Sequence, residues 1–145
     1  MNQQISRRDL SFLLPVLAAV GANAQPPAVG TMTSKAYPSD QIPFTGDANK
    51  TGRRFFYLQT HAGFKVEMHQ TTLAPGMETH PPHHHEHEEI VIVTEGTVEA
   101  NFDGTKQTVP PGSVIVFGSN QVHNARNAGA VTCKYYVIEL RGSEA

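Results

Sequence analysis

The chain has 145 residues, a formal net charge of −2, one cysteine and eight histidines. That length suits one domain with a real hydrophobic core, and it is too short for two once the first two dozen residues are set aside. Lys and Arg are scattered, which speaks against a nucleic-acid footprint or a patch for anionic membranes. A single cysteine leaves no intrachain disulfide.

The chain opens on an address. Ser6-Arg7-Arg8-Asp9-Leu10 precedes the apolar run Phe12-Leu13-Leu14-Pro15-Val16-Leu17-Ala18-Ala19-Val20, and Ala22-Asn23-Ala24 follows as a small-x-small cleavage site. A charged start, a short apolar run and such a site define an export leader over residues 1–24, with the mature chain expected to begin at Gln25. The run is too short to span a bilayer. The paired arginines resemble the twin-arginine signal, with an ordinary secretory leader as the alternative. A periplasmic or secreted protein with no membrane insertion after cleavage is expected.

Residues 25–52 carry Pro26, Pro27, Gly30, Pro38, Pro43 and Gly46 with little periodicity. They read as an extended arm, ordered where it packs on the domain or on another subunit. From residue 53 to 145 short apolar runs alternate with turn signals, the pattern of an antiparallel barrel or sandwich. Strands are expected at 54–60, 64–73, 89–94, 97–102, 105–109, 113–117, 122–126 and 131–140. Asp103-Gly104 is the strongest hairpin signal among them. Cys133 sits in an alternating strand and reads as a small core residue.

Six of the eight histidines fall in two places, five of them between His80 and His87 and one at His123. On an extended strand residues i and i+2 point the same way, so His83 and His85 project together. Glu89 begins the apolar strand Ile90-Val91-Ile92-Val93, where an inward carboxylate is costly unless paired or coordinated. Val91 and Val93 should share its inward side, with Ile90 and Ile92 outward. His123 lies on a later strand that barrel closure would bring opposite. Imidazoles with a carboxylate suit a divalent transition metal. The alternative is a solvated histidine loop that takes up metals loosely.

The stretch Gly76 to Gly96, with His83-x-His85-x3-Glu89-x6-Gly96, resembles the first cupin motif. Gly112 to Asn127, with Gly112, His123 and Asn127 in register, is similar to the second. Six residues rather than five separate Gly76 from His83, and Gly118 and Asn120 replace the usual Pro and Gly. His85-x-His87 lacks a glutamate at the required distance, so one register alone satisfies the pattern. The resemblance covers roughly residues 64–140. It implies an all-β, antiparallel jelly-roll barrel holding one metal through His83, His85, Glu89 and His123. Mn or Fe is favoured, with Zn, Ni or Cu as alternatives.

Two functions are consistent with that resemblance. One is a metal-dependent enzyme acting on a small organic substrate, of dioxygenase, oxidase or decarboxylase type. The other is a non-catalytic envelope protein that binds a small ligand or stores metal. His80, His84 and His87 read as loop or supporting groups rather than ligands. Tyr57, Gln59, His69, Asn101 and Tyr135 are candidate polar groups near the open side of the metal. Because both sides of the Ile90–Val93 strand are apolar, the outward side needs cover, and a homodimer is expected.

Overall fold

The computed structural model describes residues 29–142, so the leader at 1–24 lies outside the described residues. Ten strands follow in chain order: β1 Gly30–Thr31, β2 Thr45–Gly46, β3 Lys50–Gln59, β4 Lys65–Leu73, β5 Glu88–Glu95, β6 Val98–Phe102, β7 Thr105–Val109, β8 Val114–Phe117, β9 His123–Asn127 and β10 Cys133–Arg141. They form two facing sheets. The larger runs β1-β3-β4-β10-β5-β8 with β2 beside β3, and the smaller runs β7-β6-β9. This is a jelly-roll barrel. No helix among the described residues is long and apolar enough to cross a membrane.

Local chemistry accounts for the elements. β5 is built from Ile90, Val91, Ile92 and Val93, whose branched side chains favour a pleated surface. Val91 and Val93 are each 1% exposed, while Ile90 and Ile92 are half-buried on the other face, the alternation read from the sequence. The β6–β7 hairpin turns at Asp103 and Gly104, both at positive φ (51° and 92°), which a two-residue turn between twisted strands requires. β3 begins at Lys50, earlier than the turn signals suggest. There Asp47 Oδ1 accepts from the amides of Asn49 and Lys50, closing the turn that lays β2 against β3.

Ahead of β2 the arm runs along the β3 edge of the larger sheet. Gly30 and Thr31 pair in parallel with Leu58 and Gln59, Tyr37 packs on Phe56, and the Arg53 guanidinium lies 4.3 Å from the Phe44 ring centre. The core between the sheets holds Leu73, Val91, Val93, Val98, Ile115, Phe117, Cys133, Tyr135 and Val137. Each fully buried aliphatic side chain there stabilises the fold by about 1.5–3 kcal/mol. Cys133 is fully buried, and burial pushes its thiol up to about 11, so it serves as core.

The glycine that closes the first motif has a geometric task. Gly96 sits at φ +71°, and a Cβ there would stand 2.7 Å from Cys133 Cα. Gly96→Ala adds a left-handed penalty to a backbone clash, so it should cost ~2–4 kcal/mol. A urea-unfolding midpoint for the variant equal to that of the parent would refute this account.

Candidate metal centre

The site begins with backbone pairing. Residues 76–83 carry prolines and no regular strand, yet they run antiparallel beside β9. Gly76 N–H donates to Asn127 O, Asn127 N–H to Met77 O and Thr79 N–H to Ala125 O. The run ends where His83 and His123 exchange both amide hydrogen bonds, at 3.1 and 2.8 Å. Their ring centres stand 4.8 Å apart. His85 follows on the same side, its ring centre 4.7 Å from that of His123. The Asn120 amide donates to His85 O at 2.7 Å, tying down the far end of the loop. Asn120 is at φ 58°, so Asn takes here the left-handed turn position that the motif usually gives to Gly.

Asn127, the last motif residue, is fully buried. Its amide donates to the carbonyls of Leu73 and Val131, and its oxygen accepts from Gly129 N–H. It locks β9 against β4 and the β9–β10 turn, fixing the strand that carries His123.

Glu89 reaches in from β5, with 14% of its side chain exposed. Its Oε1 lies 3.1 Å from His85 Nε2 and its Oε2 3.8 Å from His123 Nε2. One ligand atom from each of His83, His85 and His123 falls in a set whose members lie within 4.8 Å of one another. The ring orientations leave the right atoms open. His85 Nδ1 donates to His87 O at 2.8 Å and His123 Nδ1 to Gln121 O at 2.8 Å, which turns both Nε2 atoms inward. His123 Nε2 and His83 Nδ1 are buried without a hydrogen-bond partner. Buried polar atoms are nearly always satisfied, so two orphans pointing into one His/Glu cluster fit a divalent cation. Phe117 stacks on the His123 ring at 4.4 Å and fixes its plane.

The other candidates separate. His61 and His84 are exposed, and His80 lies 4.0 Å, centre to centre, from His83. Asn101 bonds Asn124 and caps the β6–β7 turn, and Gln59 bonds Gly63 O, so both serve local structure. Tyr57 lies under the Arg141 guanidinium. Tyr135 is 1% exposed, and burial raises its hydroxyl further above its ordinary range. With Glu89 and His123 it lines a cavity of about 30 Å³, room for a water or two rather than a substrate.

His87 is more enclosed than a loop residue. It stacks on His85 at 3.6 Å with rings parallel to 2°, and its Nε2 lies 3.8 Å from Glu89 Oε1 and 3.6 Å from Glu139 Oε2. Glu139, and Glu67 beyond it, are groups that sequence reasoning passed over. The signal was present: Glu139 follows Tyr135 and Val137 at the inward period of two, the argument that placed Glu89.

Strand pairing and inward histidines thus define a jelly-roll barrel with a metal-competent His/Glu cluster. The cupin domain family (Cupin_2) matches residues 69–139. Three solved structures share the fold. An RmlC-like cupin from Shewanella frigidimarina is 15% identical, with TM-score 0.63 over 77% of this chain and 95% of its own. The polyketide cyclase RemF from Streptomyces resistomycificus is 20% identical, with TM-score 0.60 over 74% and 80%. A predicted oxalate decarboxylase from Thermotoga maritima is 17% identical, with TM-score 0.61 over 74% and 100%. No curated relative matches the chain significantly. The family match and the fold together place this domain in the cupin superfamily.

Burial holds the imidazoles of His83 and His87 below their ordinary value of 6.5, and neighbouring histidines add to the effect. The folded chain therefore resists protons that the unfolded chain accepts. Their contribution is complete above the ordinary value and is lost as pH falls through the lower folded values. The metal-free chain should show a falling urea midpoint from pH 7.5 to 5.5, and a flat or rising midpoint would refute this.

Proposed function

We propose that this cupin holds one divalent transition metal tightly through His83, His85, Glu89 and His123, and uses it as an enzyme on a small organic substrate. The observation that carries the reading is the buried, unpartnered Nε2 of His123 facing Glu89 and His85. Three imidazoles and one carboxylate would suit Mn or Fe. A metal so held would supply Lewis-acid or electron-transfer chemistry. The chain's own part is positional. Gln121 and His87 carbonyls orient the imidazoles, and Phe117 keeps the His123 side dry. The cavity below the ligands takes only water, so a substrate would approach from the open end, past Glu139 and Arg141. Oxidase, dioxygenase or decarboxylase chemistry fits this arrangement. A non-catalytic ligand-binding or metal-storing role is the alternative that the same ligand set permits.

Export of the folded chain would favour Mn or Fe, loaded before tighter-binding copper and zinc are met. Protein recovered from the cell envelope should begin at Gln25 and contain Mn or Fe. After exhaustive dialysis, His123→Ala should lower occupancy of the tightly held ion about tenfold or more, while His84→Ala leaves it unchanged. Equal occupancy in parent and His123→Ala would leave only the loose-loop reading. An oxygen-electrode screen of the loaded protein with small acids, enols and phenolics decides between turnover and storage.

A homodimer belongs to the same reading. The arm covers the β3 end of the larger sheet, but Val114 and Val116 on edge strand β8 are 60% and 58% exposed, beside outward Ile90 and Ile92. An apolar face continuing to a sheet edge suits a second copy of the chain. Sedimentation at micromolar concentration should give twice the chain mass, and Val116→Lys should halve it. A single-chain mass for the parent would end this proposal.

A further inference from the structure

Beside the proposed metal centre stands a second group of donors on the same inner wall. β5, β10 and β4 are neighbours, and their register sets Glu89 opposite Glu139 and Glu139 opposite Glu67. Three carboxylates therefore occupy one row across the sheet, with 14%, 11% and 12% of their side chains exposed. Adjacent like charges on one face are destabilising unless something cationic stands between them. His69, one inward step along β4 from Glu67, and His87, above Glu139, complete the group. Ligand atoms of Glu67, His69 and Glu139 lie within 4.8 Å of one another. His87 Nε2 reaches Glu139 Oε2 at 3.6 Å. His69 Nδ1 is a buried atom on a side chain 27% exposed, and it makes only a long contact of 3.5 Å with Glu67 Oε1, short of a well-formed hydrogen bond.

We propose that Glu67, His69 and Glu139, with His87 as the bridging imidazole, bind a second divalent cation next to the first. Two carboxylates and two imidazoles match the borderline-hard donor preference of Mn, Fe or Zn. Arginines also reach these carboxylates. Arg54 Nε lies 3.0 Å from Glu67 Oε1 and Arg141 Nε 2.8 Å from Glu139 Oε2. Both guanidiniums reach in from solvent, with 66% and 39% of their side chains exposed, so either can swing outward when a cation enters. That competition makes the second ion the weaker of the two. Neighbouring strands stand about 4.8 Å apart, so ions gripped from β5 and from β10 and β4 fall close enough to couple magnetically. His87, near both Glu89 and Glu139, lies between them.

Glu67, His69 and Glu139 stand apart from the donors of the first site, with His87 shared between the two, and the coupling rests on the proposed occupancy of the first. The test is equilibrium dialysis of the mature chain against Mn²⁺ with elemental analysis and low-temperature electron paramagnetic resonance. His80→Ala and His84→Ala are present throughout to remove loop binding. The expected result is two ions per chain, one tight and one weaker by tenfold or more, with an exchange-coupled signal at full loading. His69→Ala and Glu67→Gln, with circular dichroism confirming the fold, should lose the weak ion and the coupled signal and keep the tight ion. His123→Ala should lose the tight ion and keep the weak one. Saturation at one ion per chain, a weak ion indifferent to His69→Ala and Glu67→Gln, or two uncoupled ions would each overturn the proposal. Loss of the tight ion is read separately, in His123→Ala, so the two readings fail independently.

Discussion

The pair of amide hydrogen bonds between His83 and His123 is the contact on which the site depends. Forty residues separate these histidines, and neither belongs to a strand that would reach the other by hairpin connection. Their exchange of N–H···O bonds at 3.1 and 2.8 Å makes them a directly opposed, hydrogen-bonded pair. Everything that follows is orientation. Phe117 fixes one ring plane, backbone carbonyls fix the nitrogen that faces inward, and Glu89 enters from the other sheet.

That contact needs support because the segment delivering His83 cannot hold itself. Pro81 and Pro82 lack amide donors, so residues 76–83 borrow their hydrogen bonds from β9 rather than from a hairpin partner. Asn127 supplies the anchorage: its side chain ties β9 to β4 and to Val131 while its backbone bonds Gly76 and Met77. Asn120 does the equivalent at the other end through His85 O. The motif residues that touch no metal are the ones that position the residues able to.

Much of this was legible in the sequence, and the reasons are local. Alternation placed Val91 and Val93 inward with Glu89, and the barrel class followed from turn spacing. The Asp103-Gly104 hairpin needs only its own two residues. Cys133, read from the same alternation, is core. What the sequence withheld was adjacency. Period two says that Glu67, Glu89 and Glu139 each face inward, but not that β4, β10 and β5 lie side by side. Only the register turns three separate inward carboxylates into a row. His87 was obscured for a related reason. Its inward turn depends on stacking against His85 and on Glu139, a residue 52 positions away.

The depth at which each ionisable group sits follows from what burial costs. Along β10 the inward residues run Cys133, Tyr135, Val137, Glu139, Arg141, and along β5 in the opposite direction Val93, Val91, Glu89. Both strands change from apolar to charged at the same level, because the register sets Val137 beside Val91 and Glu139 beside Glu89. Carboxylates one step deeper would lose their remaining water and need complete pairing. At this level each keeps a little exposure and finds an imidazole or a guanidinium. The group that does go deep is His123, 1% exposed, and an imidazole can be buried uncharged with one nitrogen on a carbonyl and the other left as a lone pair. The deepest donor position thus goes to an imidazole, while the carboxylates stand one level higher among imidazoles of similar exposure, with the arginines reaching in from the water.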